Sequence, residues 1–395
     1  MTLMSTNPLK VTVLSFVGSA PHPLHRGLSI RLPVVGAALA LFAGCTGPPS
    51  SLRLVKAAEI GTVTQSGLIV GRDGGQSAIV WGQAVWAFGD TVLSIPDADG
   101  NSWHHNSYAL TTVPVGMSII PVLADPLDAA GAPRYFVPPT ATEAQFNAAH
   151  QGDTCQPPCG ARWGAWPGAP VFDEQRNRAL IPYSLIYSEP GPFNFHGVGD
   201  SFAIWSSIDA TPERPEIAPG SDHPTLIFGA EGGWTQAARI IDIFLYAWRC
   251  PQDGFGHSCQ IARAPLDSSI QDATTWRVWS GRDWSPRRGD ARALFGAGPN
   301  ISVFYLEPSG PWVVVYGASG SNDVMIRTAP SLTGPWSEEE RLFTAQRASG
   351  STYDANLHPE LAESDGLVQY ITFSRDKVGG LGSELAVVRV EMAPR

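Results

Sequence analysis

The chain has 395 residues, 43% of them apolar and only 16% charged, enough to bury a large core. Its 41 glycines and 34 prolines, about a fifth of the residues, exclude a coiled coil, a helical solenoid and a disordered tail. A formal net charge of −10 excludes nucleic acid as a partner, because holding a phosphate backbone needs a basic face.

The first 45 residues read as an address. Lys10, Arg26 and Arg31 are the only charges there, and an apolar run from Leu32 to Ala43 is too short to span a bilayer. The run ends in Leu41-Phe42-Ala43-Gly44-Cys45, which resembles the lipobox of bacterial lipoproteins. Cys45 is then the lipidated first residue of an exported protein, anchored by its acyl chains at a membrane surface of the cell envelope. A plain secretory signal cleaved nearby is the alternative. The expected organisation is a signal at 1–45, a linker at 46–54 and one domain at 55–395. The remaining cysteines fall into two local pairs, Cys155 with Cys159 and Cys250 with Cys259, which read as disulfides in an oxidising compartment. Neither pair has the histidines of a zinc site, so no metal and no cofactor is expected.

From residue 70 onward the sequence repeats a hairpin pattern. Gln76–Trp81 and Gln83–Asp90 meet at Gly82-Gln83; related units lie at 170–187, 239–248, 301–316 and 358–373. Several are followed by a second strand pair ending in an aromatic phrase, as in Thr275–Trp279 and Gly334-Pro335-Trp336. Five four-stranded units of this kind predict an all-β fold, a five-bladed β-propeller with its active face around a central channel. A two-sheet sandwich with a second β domain is the alternative. Thr142–His150 reads as a short helix, capped by Thr140 or Thr142, inside an insertion near 124–165 that carries the first cysteine pair.

A turn centred on Gly82-Gln83 pairs residue i with residue 165 − i. Asp73 and Asp90 then fall at the open end of one hairpin, within two residues of register, on strands about 5 Å apart. Two carboxylates in one cleft split their proton affinities, one staying protonated as acid and one ionised as base or nucleophile. Glycoside hydrolysis needs that pair. Read singly, Asp73 is a turn residue before Gly74-Gly75 and Asp90 caps a strand through Thr91.

Gly71-Arg-Asp-Gly-Gly75, Val85-Trp-Ala-Phe-Gly-Asp-Thr91 and Tyr316 with Arg327–Trp336 together resemble a bacterial propeller family whose characterised members are glycoside hydrolase family 183, the endo-D-arabinanases. The likeness extends over roughly 55–392. It implies a five-bladed propeller that cleaves furanosidic bonds within arabinan, with catalytic aspartates that map onto Asp73 and Asp90. The family often has a bulky residue where this chain has Gly74.

Other residues fall at the same end of later hairpins. Glu189, and Glu360 at the start of what reads as the innermost strand of the last unit, are candidates for a third acid. His358, Trp103, His105, Asn106 and Trp166 are candidates for contacts to sugar. The expected reading is a monomeric lipoprotein that hydrolyses a furanose-containing polysaccharide; the rival is a non-catalytic propeller that binds glycan or an envelope protein.

Overall fold

Short runs of β-branched and aromatic residues, each cut by glycine or proline, form 24 strands among the described residues. The computed structural model describes residues 52–111, 120–191, 193–230, 232–307, 310–377 and 382–395; Cys45 and the rest of the leader lie outside them. Strand β1 (Leu52–Thr62) starts inside the expected linker, so the folded part begins earlier than the sequence suggests. The first sheet follows with β2 (Ile69–Val80), β3 (Gln83–Leu93), β4 (Trp103–His104) and β5 (Ser107–Thr111). After the helix α1 (Ala141–Ala149), the second sheet holds β6 (Arg162–Pro167), β7 (Val171–Asp173), β8 (Arg178–Ser188), β9 (Phe195–Trp205) and β10 (Phe228–Gly229).

The third sheet holds β11 (Ala237–Ile241), β12 (Phe244–Arg249), β13 (Gln252–Asp253), β14 (Gly256–Pro265), β15 (Arg277–Trp279), β16 (Trp284–Ser285) and β17 (Phe295–Ala297). The fourth is β18 (Ile301–Tyr305), β19 (Trp312–Gly317), β20 (Asp323–Ala329) and β21 (Glu340–Thr344), in that order. The last contains β22 (Ser349–Leu357), β23 (Val368–Asp376) and β24 (Ser383–Pro394), with β1 added as its outermost strand. All assigned strand pairs are antiparallel.

The arrangement is all-β and propeller-like. Strands β2, β7, β11, β18 and β22 each touch the next, and β22 touches β2 again, so the sheets stand around a ring. The expectation of five four-stranded units is corrected to four. The first sheet is only three strands deep, because β4 and β5 are two pieces of one layer, pairing Thr91–Val92 and Ala84–Phe88 of β3 respectively.

Hydrophobic clusters fill the junctions between neighbouring sheets. Strand β19 shows how. Val313 and Val315 belong to the cluster against the last sheet, while Val314 and Tyr316 belong to the one against the third. Successive side chains of a strand point to opposite faces, so a strand covered on both sides has to be apolar throughout.

Two further expectations are corrected. The last hairpin turns at Ser364–Gly366 as expected and β23 pairs with β22, but its first arm is set back: β22 ends at Leu357, and Pro359–Leu361 is a 3₁₀ turn, because proline at its start fixes a helical φ. The first hairpin turns at Trp81-Gly82, both with positive φ (49° and 76°), and its register is i with 163 − i near the turn. Helix α1 is capped by Thr140, whose Oγ1 accepts from Glu143 N–H while Glu143 accepts from Thr140 N–H. Disulfides join Cys155 to Cys159 and Cys250 to Cys259.

Candidate active site at the seam between the first and last sheets

The corrected register brings Asp73 across from Asp90. Arg72 pairs with Thr91 and Gly74 with Phe88, so the ladder is interrupted where the two aspartates lie. Gly74 and Gly75 take φ of 94° and 97°, which a side chain would resist, and this bulge frees both acids from regular pairing. Arg72 fixes the strand just before. Its guanidinium is buried with Asp125 at 2.7 Å and lies over the Phe88 ring, and its N–H donates to Ser383 Oγ at 2.9 Å.

Asp73 accepts a hydrogen bond from Tyr353 Oη at 2.6 Å. Burial pushes its carboxyl up to about 6; the Tyr353 bond pulls it down, and nearby Asp354, Asp90 and Asp376 add to the rise. Asp90 accepts from Trp166 Nε1 at 3.3 Å, and His105 Nδ1 stands 3.8 Å from the same oxygen. Gly164 makes room for that histidine: a Cβ there would come within 2.4 Å of the His105 ring.

Asp354 is the acid that the sequence did not offer. It is half-buried in a cavity wall, and burial raises its pKa. It sits on β22 with φ at 52°, a conformation that costs a non-glycine residue energy and clusters at functional sites. Its carboxylate accepts from Asn300 Nδ2 and from the N–H of Gly74 at 3.0 Å, while Asn356 Nδ2 donates to Gly74 O at 3.2 Å. The last sheet therefore holds the bulge that aims Asp73.

Two cavities meet beside this cluster. One, about 590 Å³, includes Asn300, Tyr353 and Asp354 in its wall; the other, about 370 Å³, includes Asn300, Trp166 and Asp200. Asp200 was also missed. It accepts from Ser184 Oγ at 2.6 Å and Thr235 Oγ1 at 2.8 Å, and burial raises its pKa.

The other sequence candidates are placed as follows. Glu189 follows β8 and accepts from Tyr187 Oη at 3.0 Å, with no contact to either aspartate. Glu360 and His358 are buried with Ser77, which bonds both. Ser77 is four residues along β2 from Asp73, roughly 13 Å at 3.3 Å per residue. His358 is thus not on the innermost strand of its sheet: its ring stacks on Trp86 at 4.2 Å and its Nε2 pairs with Thr372 Oγ1 at 2.8 Å. Asn106 is 1% exposed and its amide is spent on backbone, accepting from Phe136 and Val137 N–H and donating to Val137 and Ala165 O. Neither His358 nor Asn106 can reach a sugar. Trp103 is exposed and lines a third cavity of about 640 Å³ with His105 and Arg162.

A family described as a domain of unknown function (DUF4185) matches residues 203–377. That stretch contains Asn300, Tyr353 and Asp354 but stops short of the hairpin with Asp73 and Asp90. Among curated proteins, Notoamide biosynthesis cluster protein J' of Aspergillus versicolor is 28% identical over 130 residues, covering 32% of this chain and 35% of that one. The chain thus matches about a third of that relative's length. A solved Bacteroides ovatus protein with a provisional hydrolase description superposes with a TM-score of 0.55 at 14% identity, covering 83% of this chain and 86% of that one. This likeness shows the fold. Zg3597 of Zobellia galactanivorans, a family 117 glycoside hydrolase, superposes at 0.49 with 12% identity over 87% and 92% of the two chains, too slight a likeness to bear on function.

Proposed function

We propose that the protein is a glycoside hydrolase in which Asp73 is the general acid and Asp90 the base or nucleophile. The observation that carries the reading is Asp73 itself: a carboxyl held near a pKa of 6 by burial, beside a second aspartate on the same bulged hairpin and bonded to Tyr353, which stands in a cavity wall. A carboxylic acid still protonated near neutral pH can protonate a leaving glycosidic oxygen as the bond breaks. Asp90 then either attacks the anomeric carbon or activates a water on the opposite face; the separation of the two carboxyls in the loaded enzyme selects between retention and inversion. Trp166 and His105 orient Asp90, while Tyr353 and Asp354 orient Asp73.

The substrate in this reading is a furanose-containing polysaccharide of the D-arabinan kind, from the resemblance to the endo-D-arabinanases. The leader and the two disulfides fit an exported, lipid-anchored protein of the envelope. Incubating residues 46–395 with D-arabinan beside other envelope and plant polysaccharides tests it, with products sized by chromatography. Oligosaccharides from D-arabinan that vanish with Asp73→Asn, while circular dichroism is unchanged, are the expected result. Products from another glycan overturn the substrate, and turnover surviving in Asp73→Asn overturns the acid. No products from folded protein would favour the glycan-binding propeller.

A further inference from the structure

The hairpin closed by Cys250 and Cys259 is rooted in the cluster between the third and fourth sheets, while its tip stands in solvent. Strands β13 and β14 pair Gln252 with His257 and Asp253 with Gly256. The disulfide closes its base, Ser258 N–H donates to Pro251 O at 3.0 Å, and Ser258 Oγ donates to Asp253 Oδ2 at 2.6 Å. From the other side, β17 pairs with β14 from His257 to Cys259. At the tip stand Gly254, with φ of 62°, and Phe255, a fully exposed residue.

A phenyl ring that touches nothing, on a loop braced so heavily, is not core. Its position is informative. Phe255 borders the same 590 Å³ cavity whose wall includes Tyr353 and Asp354, the residues that hold Asp73 and its bulge. In the neighbouring cavity, which shares Asn300, Trp166 packs edge-on against the half-exposed Phe195 at 4.9 Å. Aromatic surface therefore borders both cavities.

We infer that Phe255 is a stacking platform for a sugar unit of the polysaccharide beyond the scissile bond, an inference that rests on the hydrolase reading above. The apolar face of a furanose ring covers the phenyl, and the braced hairpin keeps the platform in place before substrate arrives, so little ordering entropy is lost on binding.

Phe255→Ala and Phe255→Trp test this with the purified protein. On the polysaccharide that wild type cleaves, Phe255→Ala is expected to raise KM about tenfold, as losing part of a buried phenyl contact implies, with kcat nearly unchanged. Phe255→Trp is expected to restore KM, and an aryl glycoside filling only the scissile site to be cleaved equally by all three. Unchanged KM for Phe255→Ala overturns the platform and leaves the hydrolase reading standing, provided that Asp73→Asn is dead. If wild type cleaves nothing, native gels cast with the same polysaccharides decide. Retardation of wild type but not of Phe255→Ala keeps the platform and sinks the hydrolase; equal mobility, retarded or free, sinks the platform.

Discussion

Tyr353 and Asp73 set each other's chemistry through one hydrogen bond. The phenol stabilises the ionised carboxyl, so the bond works against burial and against the three neighbouring acids. The same carboxyl, with burial, holds the Tyr353 hydroxyl well above its usual range. As the proposed acid, Asp73 is active when protonated, so kcat/KM is expected to fall tenfold per pH unit above about 6. Tyr353→Phe removes the hydrogen bond that lowers the Asp73 pKa. The alkaline limb is therefore expected to move to higher pH, and a pH–rate profile of the variant checks it; a limb moved downward would contradict the assignment.

How much of this was legible depends on sequence distance. Asp73 and Asp90 could be paired because one hairpin carries both. Even so, the register was read two residues off, because Trp81 takes a positive φ that a bulky residue rarely adopts. Tyr353 and Asp354 lie 280 residues from the groups they bond, and no local pattern announces them. Glu360 looked like a strand residue facing the channel; the proline before it turned the chain and buried it with Ser77.

Among the elements, the insertion shows how a segment without a sheet of its own is held. Its helix α1 was readable from the cap at Thr140, but its mooring was not. Asn106 accepts from two backbone N–H groups, at Phe136 and Val137, both buried in the cluster between the first two sheets. Asn106→Ala leaves both unpaired, and at about 1–3 kcal/mol for each such group a loss of roughly 3 kcal/mol is expected. Urea unfolding measures it, and a loss below about 1 kcal/mol would show that the insertion is anchored elsewhere.

At the scale of the whole molecule, the ring is completed by its two ends. Strand β1 lies along β24 from Leu52 with Pro394 to Thr62 with Ala386. No single stretch of sequence signals this, since β1 starts inside the expected linker and only Leu52 of it is fully buried. Removing residues 52–62 bares the edge of β24, a strand whose interior is almost wholly buried in the intact protein. Such a chain is expected to aggregate or to lose cooperative unfolding, as seen by size-exclusion chromatography and thermal melts. A monomeric, cooperatively unfolding product would show that three strands suffice for the last sheet.

The position of the acids at that seam has a bearing on time as well as space. Asp73 is among the early residues to leave the ribosome, and the groups that raise and restrain its proton affinity are among the last. Until β22 has docked against β2, the bulge at Gly74 lacks the Asp354 carboxylate that holds it, and Asp73 lies in water as an ordinary acid. Long-range pairing of this kind is slow to form. The environment of the proposed acid is thus a late product of folding, present only in a molecule whose circle has closed.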